Sequence, residues 1–169
     1  RGVEVTAMPA VMLKGERISS TRLRQALREG NLKAASEMLG RSYTVMGTVV
    51  RGEGLGRKLG APTANISVGD EQLPPDGVYA VAATIGEEIK EHRGVANLGV
   101  RPTVDGERRL LEVHLLNFDG DLYGNTVEVC FGMRLRKEQK FESCEELRAQ
   151  IQRDLKEVRE LFKERKAGV

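Results

Sequence analysis

The sequence predicts a mainly β fold: a six-stranded antiparallel barrel with a C-terminal α-helix, preceded by two short N-terminal helices. Three observations lead there. Between residues 41 and 136 run six segments rich in Val, Ile and Thr: YTVMGTVV, NISV, GVYAVAATI, HRGVANLGV, LLEVHLLNF and TVEVCFGMRL. Such residues suit the pleated, half-buried surface of a strand. Stretches bearing Gly, Pro and Asp separate them (RGEGLGRKLGAP, PPDG, RPTVDGE, DGDLYGN), with no helical segment in between. That favours antiparallel connections over the long helical crossovers of a parallel sheet. The chain then closes on Leu147, Ile151, Leu155, Val158 and Phe162, spaced by four, four, three and four, which is one apolar stripe on a helix.

The first forty residues read differently. VEVTAMPAVML is a short apolar stretch interrupted by Pro9, and KGER is a turn. Ser19, Ser20 and Thr21 offer good N-caps for a helix whose Leu23, Ala26 and Leu27 share a face. Gly30-Asn31 breaks it, and a second short helix places Leu32, Ala35, Met38 and Leu39 together before stopping at Gly40. The chain therefore divides into 1–40 and 41–169. At the far end, Ser143 with Glu146 three residues later has the pattern of a capping box. FDGDLYG holds an Asp-Gly pair between two strands, a hairpin signal.

Composition removes several function classes. Aromatic residues make up 4% and Trp is absent, too few rings for a stacking platform on single-stranded nucleic acid. The net charge of +2 gives no strong field toward nucleic acid or membrane. The basic cluster from Arg134 to Lys140 is interrupted by Leu135, Glu138 and Gln139 and reads as solvated surface. No apolar run approaches the ~20 residues that span a bilayer. Cys130 and Cys144 make neither metal-ligand spacing nor a disulfide framework; Cys130, in an apolar stretch, is expected to be a buried thiol. A reducing, cytoplasmic location follows. The chain begins at Arg1 rather than Met, from which a longer parent protein is expected.

The densest glycine run is RGEGLGRKLGAPTAN, Arg51 to Asn65. Glycines let backbone amides approach phosphate oxygens, and Arg57 and Lys58 add charge. The dinucleotide fingerprint fails because position 57 is Arg, and the P-loop fails because Lys58 precedes Leu59. As pattern alone the run also reads as a flexible hairpin tip. Thr63 and Asn65 offer neutral oxygens two residues apart, which point the same way on an extended chain. They could serve Mg²⁺, which protein side chains often hold by few oxygens, or simply cap a turn after Pro62. In LLEVHLLNF, alternation puts Leu111, Val113 and Leu115 on one face and Glu112 with His114 on the other. A carboxylate in so apolar a strand is either paired with an Arg or kept as a base for phosphoryl transfer. His114 is the alternative base.

The ordered strings GEGLGRKLGAPTANI, DGVYAV, GVANLGVRPT, LEVHLLNFDGDLYG and RLRKEQKFESCEEL resemble the riboflavin kinase family, over Tyr43 to about Phe162. The resemblance implies a six-stranded Greek-key barrel and transfer of the γ-phosphate of Mg-ATP to riboflavin, giving FMN and ADP. It implies Thr63 and Asn65 as ligands of Mg²⁺, with Gly52, Gly54 and Lys58 in a loop over the nucleotide. Glu112 would be the base, and Leu115, Asn117 and Tyr123 would line the nucleotide site. Arg136, Gln139 and Phe141 would meet the flavin. The segment ISSTRLRQALREGNLKAASEMLGRSY is similar to the end of the FMN adenylyltransferase module of bifunctional bacterial FAD synthetases. There Ser19 to Arg24 would touch a nucleotide, but the dinucleotide fold and its histidine signature are not found here. FMN formation without FAD formation is expected. A rival from another class is a non-catalytic barrel that carries a flavin or nucleotide.

Overall fold

Inward-facing alternation closes the sheet. In the computed structural model Val45 and Val49, Ile66, Tyr79, Val81 and Ala83, Ala96 and Leu98, Leu111 and Val113, and Val127, Val129 and Phe131 fill one continuous core. The structure describes the chain except Arg1, Glu4, Val5, Ala7, Glu53, Val104, Asp105, Gly168 and Val169, and except the side chains of residues 102–108 and 164–169. The expected RPTVDGE turn lies partly outside the described residues.

The elements run β1 (Met12–Leu13), β2 (Glu16–Arg17), α1 (Ser20–Arg28), α2 (Leu32–Leu39), β3 (Thr44–Val50), α3 (Leu55–Lys58), β4 (Ala64–Ser67), β5 (Gly77–Ile85), β6 (Glu91–Thr103), β7 (Gly106–Leu115), β8 (Thr126–Arg136) and α4 (Cys144–Ala167). The six strands β3 to β8 close a barrel in the order β3-β4-β7-β6-β5-β8, and every pairing is antiparallel. β5, β6 and β7 form a meander and β8 returns beside β5, which is Greek-key connectivity. Closure leaves no long strand with an unpaired edge.

The expected hairpin at FDGDLYG is not formed. β7 does not pair with β8, whose partners are β3 and β5. The connecting chain instead bonds to the end of β3, with Gly124 N donating to Val49 O and Val49 N donating to Asn125 O, both at 3.0 Å. Asn117 and Gly124 take positive φ (54° and 77°), and Asp121 accepts from Tyr123 N at 2.9 Å. The Asp-Gly pair therefore serves a longer loop across the barrel end. A second correction concerns Cys130. It is half-buried, because Val129 and Phe131 take the inward positions of β8 and leave Cys130 facing out.

The N-terminal helices form where expected. Ser19 Oγ accepts from Arg22 N at 3.3 Å, Asn31 Oδ1 from Ala34 N at 3.0 Å, and Gly40 ends α2 at φ 69°. KGER becomes a tight hairpin between β1 and β2, with Lys14 and Gly15 both at positive φ. Leu27 and Ala35, 2% and 0% exposed, join the barrel core, so the two helices are docked. At the other end, Ser143 Oγ caps α4 by accepting from Glu146 N at 3.1 Å. The return bond of the capping box is shifted by one residue, since the Glu146 carboxylate accepts from Glu142 N at 3.2 Å. Leu155 and Val158 are buried as α4 packs on β6. Arg93 fixes its far end, donating to Phe162 O at 2.8 Å with the guanidinium over the Phe162 ring.

Candidate active site

Close backbone approach, more than flexibility, explains the glycine run. A methyl group at Gly52 would lie 1.9 Å from Asn65 Nδ2, and one at Gly56 would lie 2.5 Å from Ala61 O and 2.9 Å from Thr63 Oγ1. The loop thus lies directly on the side chains of Thr63 and Asn65. Gly54 enters α3 at φ 70°, a conformation that costs glycine little. The run expected as a turn holds this single helical turn, Leu55–Lys58, closed by Ala61 N donating to Gly56 O at 2.9 Å.

β4 sets Asn65 opposite Glu112 of β7, and β7 sets Glu112 opposite Asn97 of β6. Asn65, Glu112 and Asn97 therefore form a row across three strands. The alternation read from LLEVHLLNF holds: Leu111, Val113 and Leu115 are buried, whereas Glu112 and His114 are not. His114 Nδ1 donates to Pro62 O at 2.8 Å, which ties β7 to the residue before Thr63. The Glu112 carboxylate accepts from one Arg101 amino group at 3.4 Å, while the other donates to Glu138 at 2.8 Å. Burial disfavours the charged guanidinium of Arg101, but the Glu138 hydrogen bond and the charges of Glu112 and Glu138 outweigh it and raise its pKa.

Two clefts adjoin here. One of about 520 Å³ lies between the outer barrel face and α4; its lining includes Val95, Asn97, Glu112, Phe141, Ile151 and Leu155. The other, about 560 Å³, lies between the start of β4, the inner end of β7 and the β7–β8 loop. Thr63 belongs to the walls of both.

Of the expected site residues, Glu112, Arg136, Gln139 and Phe141 meet in the first cleft, together with His114. Leu115 and Tyr123 meet in the second, where Arg51 stacks over the Tyr123 ring at 5.5 Å. Asn65 is buried beneath Gly52 rather than open to either cleft. Asn117 is exposed on the turn after β7 and Lys58 is exposed at the end of α3; neither lines a cleft. Arg57 is the α3 cation facing the second cleft.

Sequence reasoning passed over Arg101 and Glu138, and also Asp154. That aspartate, 4% exposed, takes the Arg136 guanidinium at 2.8 Å and the Gln150 amide at 2.7 Å. Only the isolated Arg in GVRPT carried a hint, as a cation two turns of alternation from Asn97 on the same strand.

A Greek-key barrel with two adjoining clefts, and a carboxylate on the strand beside their shared wall, has the layout of a small-molecule-binding barrel. Residues 39–162 match the model of the riboflavin kinase family, flavokinase, and the chain belongs to that family. A bifunctional riboflavin kinase/FMN adenylyltransferase of Escherichia coli (strain K12) is 46% identical over 161 residues, 95% of this chain and 51% of that protein. The chain thus spans about half the length of the curated relatives it matches. Among solved structures, a Streptococcus pneumoniae protein described as a macrolide-efflux protein is 38% identical with a TM-score of 0.78, covering 90% of this chain and 50% of that one. Among the described residues here, no helix is long and apolar enough to cross a membrane. The riboflavin kinase of Trypanosoma brucei, at 24% identity and a TM-score of 0.54, covers 71% of this chain and 79% of its own, a likeness of fold.

Proposed function

We propose that this chain transfers the γ-phosphoryl group of Mg-ATP to the 5′-hydroxyl of riboflavin, giving FMN and ADP. The observation that carries the reading is the shared wall: Thr63 borders both clefts, and Glu112 stands on the adjacent strand in the first. Two substrates seated in the two clefts would meet there.

The first cleft suits the flavin. Its walls join apolar side chains, among them Phe141, Ile151 and Leu155, to polar and charged ones such as Asn97 and Gln139, which suits a ligand with an aromatic ring system and a polar edge. The second suits the nucleotide, with Arg57 to meet phosphate and Leu115 and Tyr123 as walls. Gly52, Gly54 and Lys58 belong to the loop beside it, and Asn117 to the turn at its far side.

Glu112 accepts the proton of the ribityl hydroxyl as that oxygen bonds to the γ-phosphorus and the bond to the β-phosphate oxygen breaks. His114 is the alternative base: its Nδ1–H donates to the Pro62 carbonyl, which leaves Nε2 as the accepting nitrogen. Thr63 and Asn65 would hold the metal: both side chains lie directly under the glycine loop, at Gly56 and Gly52, and two neutral oxygens leave most of an octahedron to phosphates and water. A bound Mg²⁺ would supply charge neutralisation at the phosphates. Positioning and electrostatics then account for most of the acceleration such a transfer needs.

The 169-residue polypeptide spans about half the length of its bifunctional relatives, and FMN is its expected product. Consumption of ATP fits a cytoplasmic enzyme. Chromatography of a reaction containing riboflavin, ATP and Mg²⁺ tests the proposal. Absence of FMN with retained flavin binding would reduce the protein to a binding barrel.

A further inference from the structure

The outer face of β6 carries Asn97, Gly99 and Arg101 at alternate positions, and the glycine leaves a notch between two polar side chains. The Glu138 carboxylate fills it: a methyl group at Gly99 would lie 2.1 Å from Glu138 Oε1. From that seat Glu138 holds Arg101 at 2.8 Å, and the second amino group of the same guanidinium reaches Glu112 at 3.4 Å. Glu138 belongs to the stretch between β8 and α4 whose next three residues, Gln139, Lys140 and Phe141, line the first cleft.

We propose that Arg101 is a positioning residue that sets Glu112 relative to the flavin-side wall, acting as a fork between Glu112 and the notched Glu138. Only a guanidinium does this, since its planar fork can serve two carboxylates at fixed geometry whereas an ammonium is a single point of charge. The other cationic or titratable groups of the cleft are placed otherwise. Arg136 is committed to Asp154 at 2.8 Å, His114 to Pro62 O at 2.8 Å, and Lys140 is exposed. The unequal distances also matter. Arg101 is gripped by Glu138 and only grazes Glu112, so the carboxylate is oriented while its lone pairs stay open to a hydroxyl. Being 42% exposed at the side chain, the fork contributes little to stability, and its removal is read in catalysis.

The inference rests on the kinase reading, and wild-type FMN formation tests that reading separately. The test of the fork is a mutant cycle of Arg101→Lys, Glu138→Gln and the double variant, with Gly99→Ala as a fourth protein. Arg101→Lys and Glu138→Gln are each expected to lower kcat by about 10- to 100-fold, up to the loss that a misplacement of about 1 Å brings. The KM for ATP should not change, and the double variant should be no slower than the slower single one. Gly99→Ala keeps every charged group but evicts Glu138 from its notch, and it is expected to match Glu138→Gln with a near wild-type melting temperature. If Gly99→Ala does not fold, Glu138→Gln carries the same comparison. Multiplicative losses in the double variant, rescue by Arg101→Lys, or unaltered kcat in Glu138→Gln would each overturn the fork while leaving the kinase reading intact.

Discussion

The side-chain amide of Asn65 lies against the backbone of Gly52, with no space between them for a methyl group. Asn65 is 8% exposed, so the loop above it sets its orientation, and Glu112 stands opposite it in the register of β4 and β7. The glycine run is thus a fitted cover over Thr63 and Asn65, with Gly52 seated on the Asn65 amide and Gly56 beside the Thr63 hydroxyl.

Gly52→Ala is accordingly expected to resemble a lesion at Asn65. The added methyl group displaces the amide, and a shift of about 1 Å at a positioned group costs on the order of 100-fold in rate. The Mg²⁺ concentration giving half-maximal turnover should rise. Initial rates across a Mg²⁺ series decide it; an unchanged Mg²⁺ dependence would remove Asn65 from the metal site.

Thr63→Val keeps the shape of the wall between the clefts and deletes its hydroxyl. ATP affinity in the presence of Mg²⁺ should fall, whereas riboflavin affinity without nucleotide should stay. Separate calorimetric titrations check this. Equal losses for both ligands would mean that the substitution had disturbed the wall itself.

Glu112→Gln preserves the strand, and the amide can still accept from Arg101. Turnover should drop by about 10²–10⁴, the usual contribution of a general base, with flavin binding followed by fluorescence largely unaltered. Near-normal turnover would pass the role to another group, His114 first.

The strands and caps were legible because their causes are local. Leu111, Val113 and Leu115 alternate with Glu112 and His114 within one segment, and Ser19, Asn31 and Gly40 mark helix ends by their own chemistry. Whatever depends on register was not. No local signal sends β8 to β3 and β5, and the Asp-Gly pair argued for a hairpin that the β3 backbone outcompeted. The row Asn65-Glu112-Asn97 needs three strands aligned, and the seat of Glu138 needs a missing side chain on a strand far away in sequence. Asp154 looked like one charge among many on a mixed helix face. Only the docking of α4 buries it against Arg136.

Asp154→Asn should destabilise the protein by about 2–4 kcal/mol, the lower part of the cost of breaking a buried pair, because Arg136 keeps some solvent. The side chains are 6% and 20% exposed. Chemical denaturation measures the loss directly. As Arg136 and Asp154 both border the flavin-side cleft, riboflavin affinity should weaken as well; unaltered stability would mean that the pair is dispensable to α4.

The N-terminal helices separate stability from chemistry. Leu27 and Ala35 lie in the same core as the barrel residues, yet no described residue before Val49 lines either cleft. Leu27→Ala removes a fully buried side chain and is expected to cost about 2–5 kcal/mol, with turnover well below the melting temperature unchanged. Deleting residues 1–40 goes further, because it uncovers the barrel surface under α1 and α2 and should lower the melting temperature more than Leu27→Ala does. FMN formation by the shortened protein, assayed in the cold where it remains folded, is expected to stay within a few-fold of the full chain, since chain ends that touch no substrate are commonly tolerated. The two measurements must be made together. A folded deletion variant that no longer forms FMN would show that the helices shape the clefts through the core, whereas a deletion variant that melts like the full chain would show that their burial contributes nothing to the barrel.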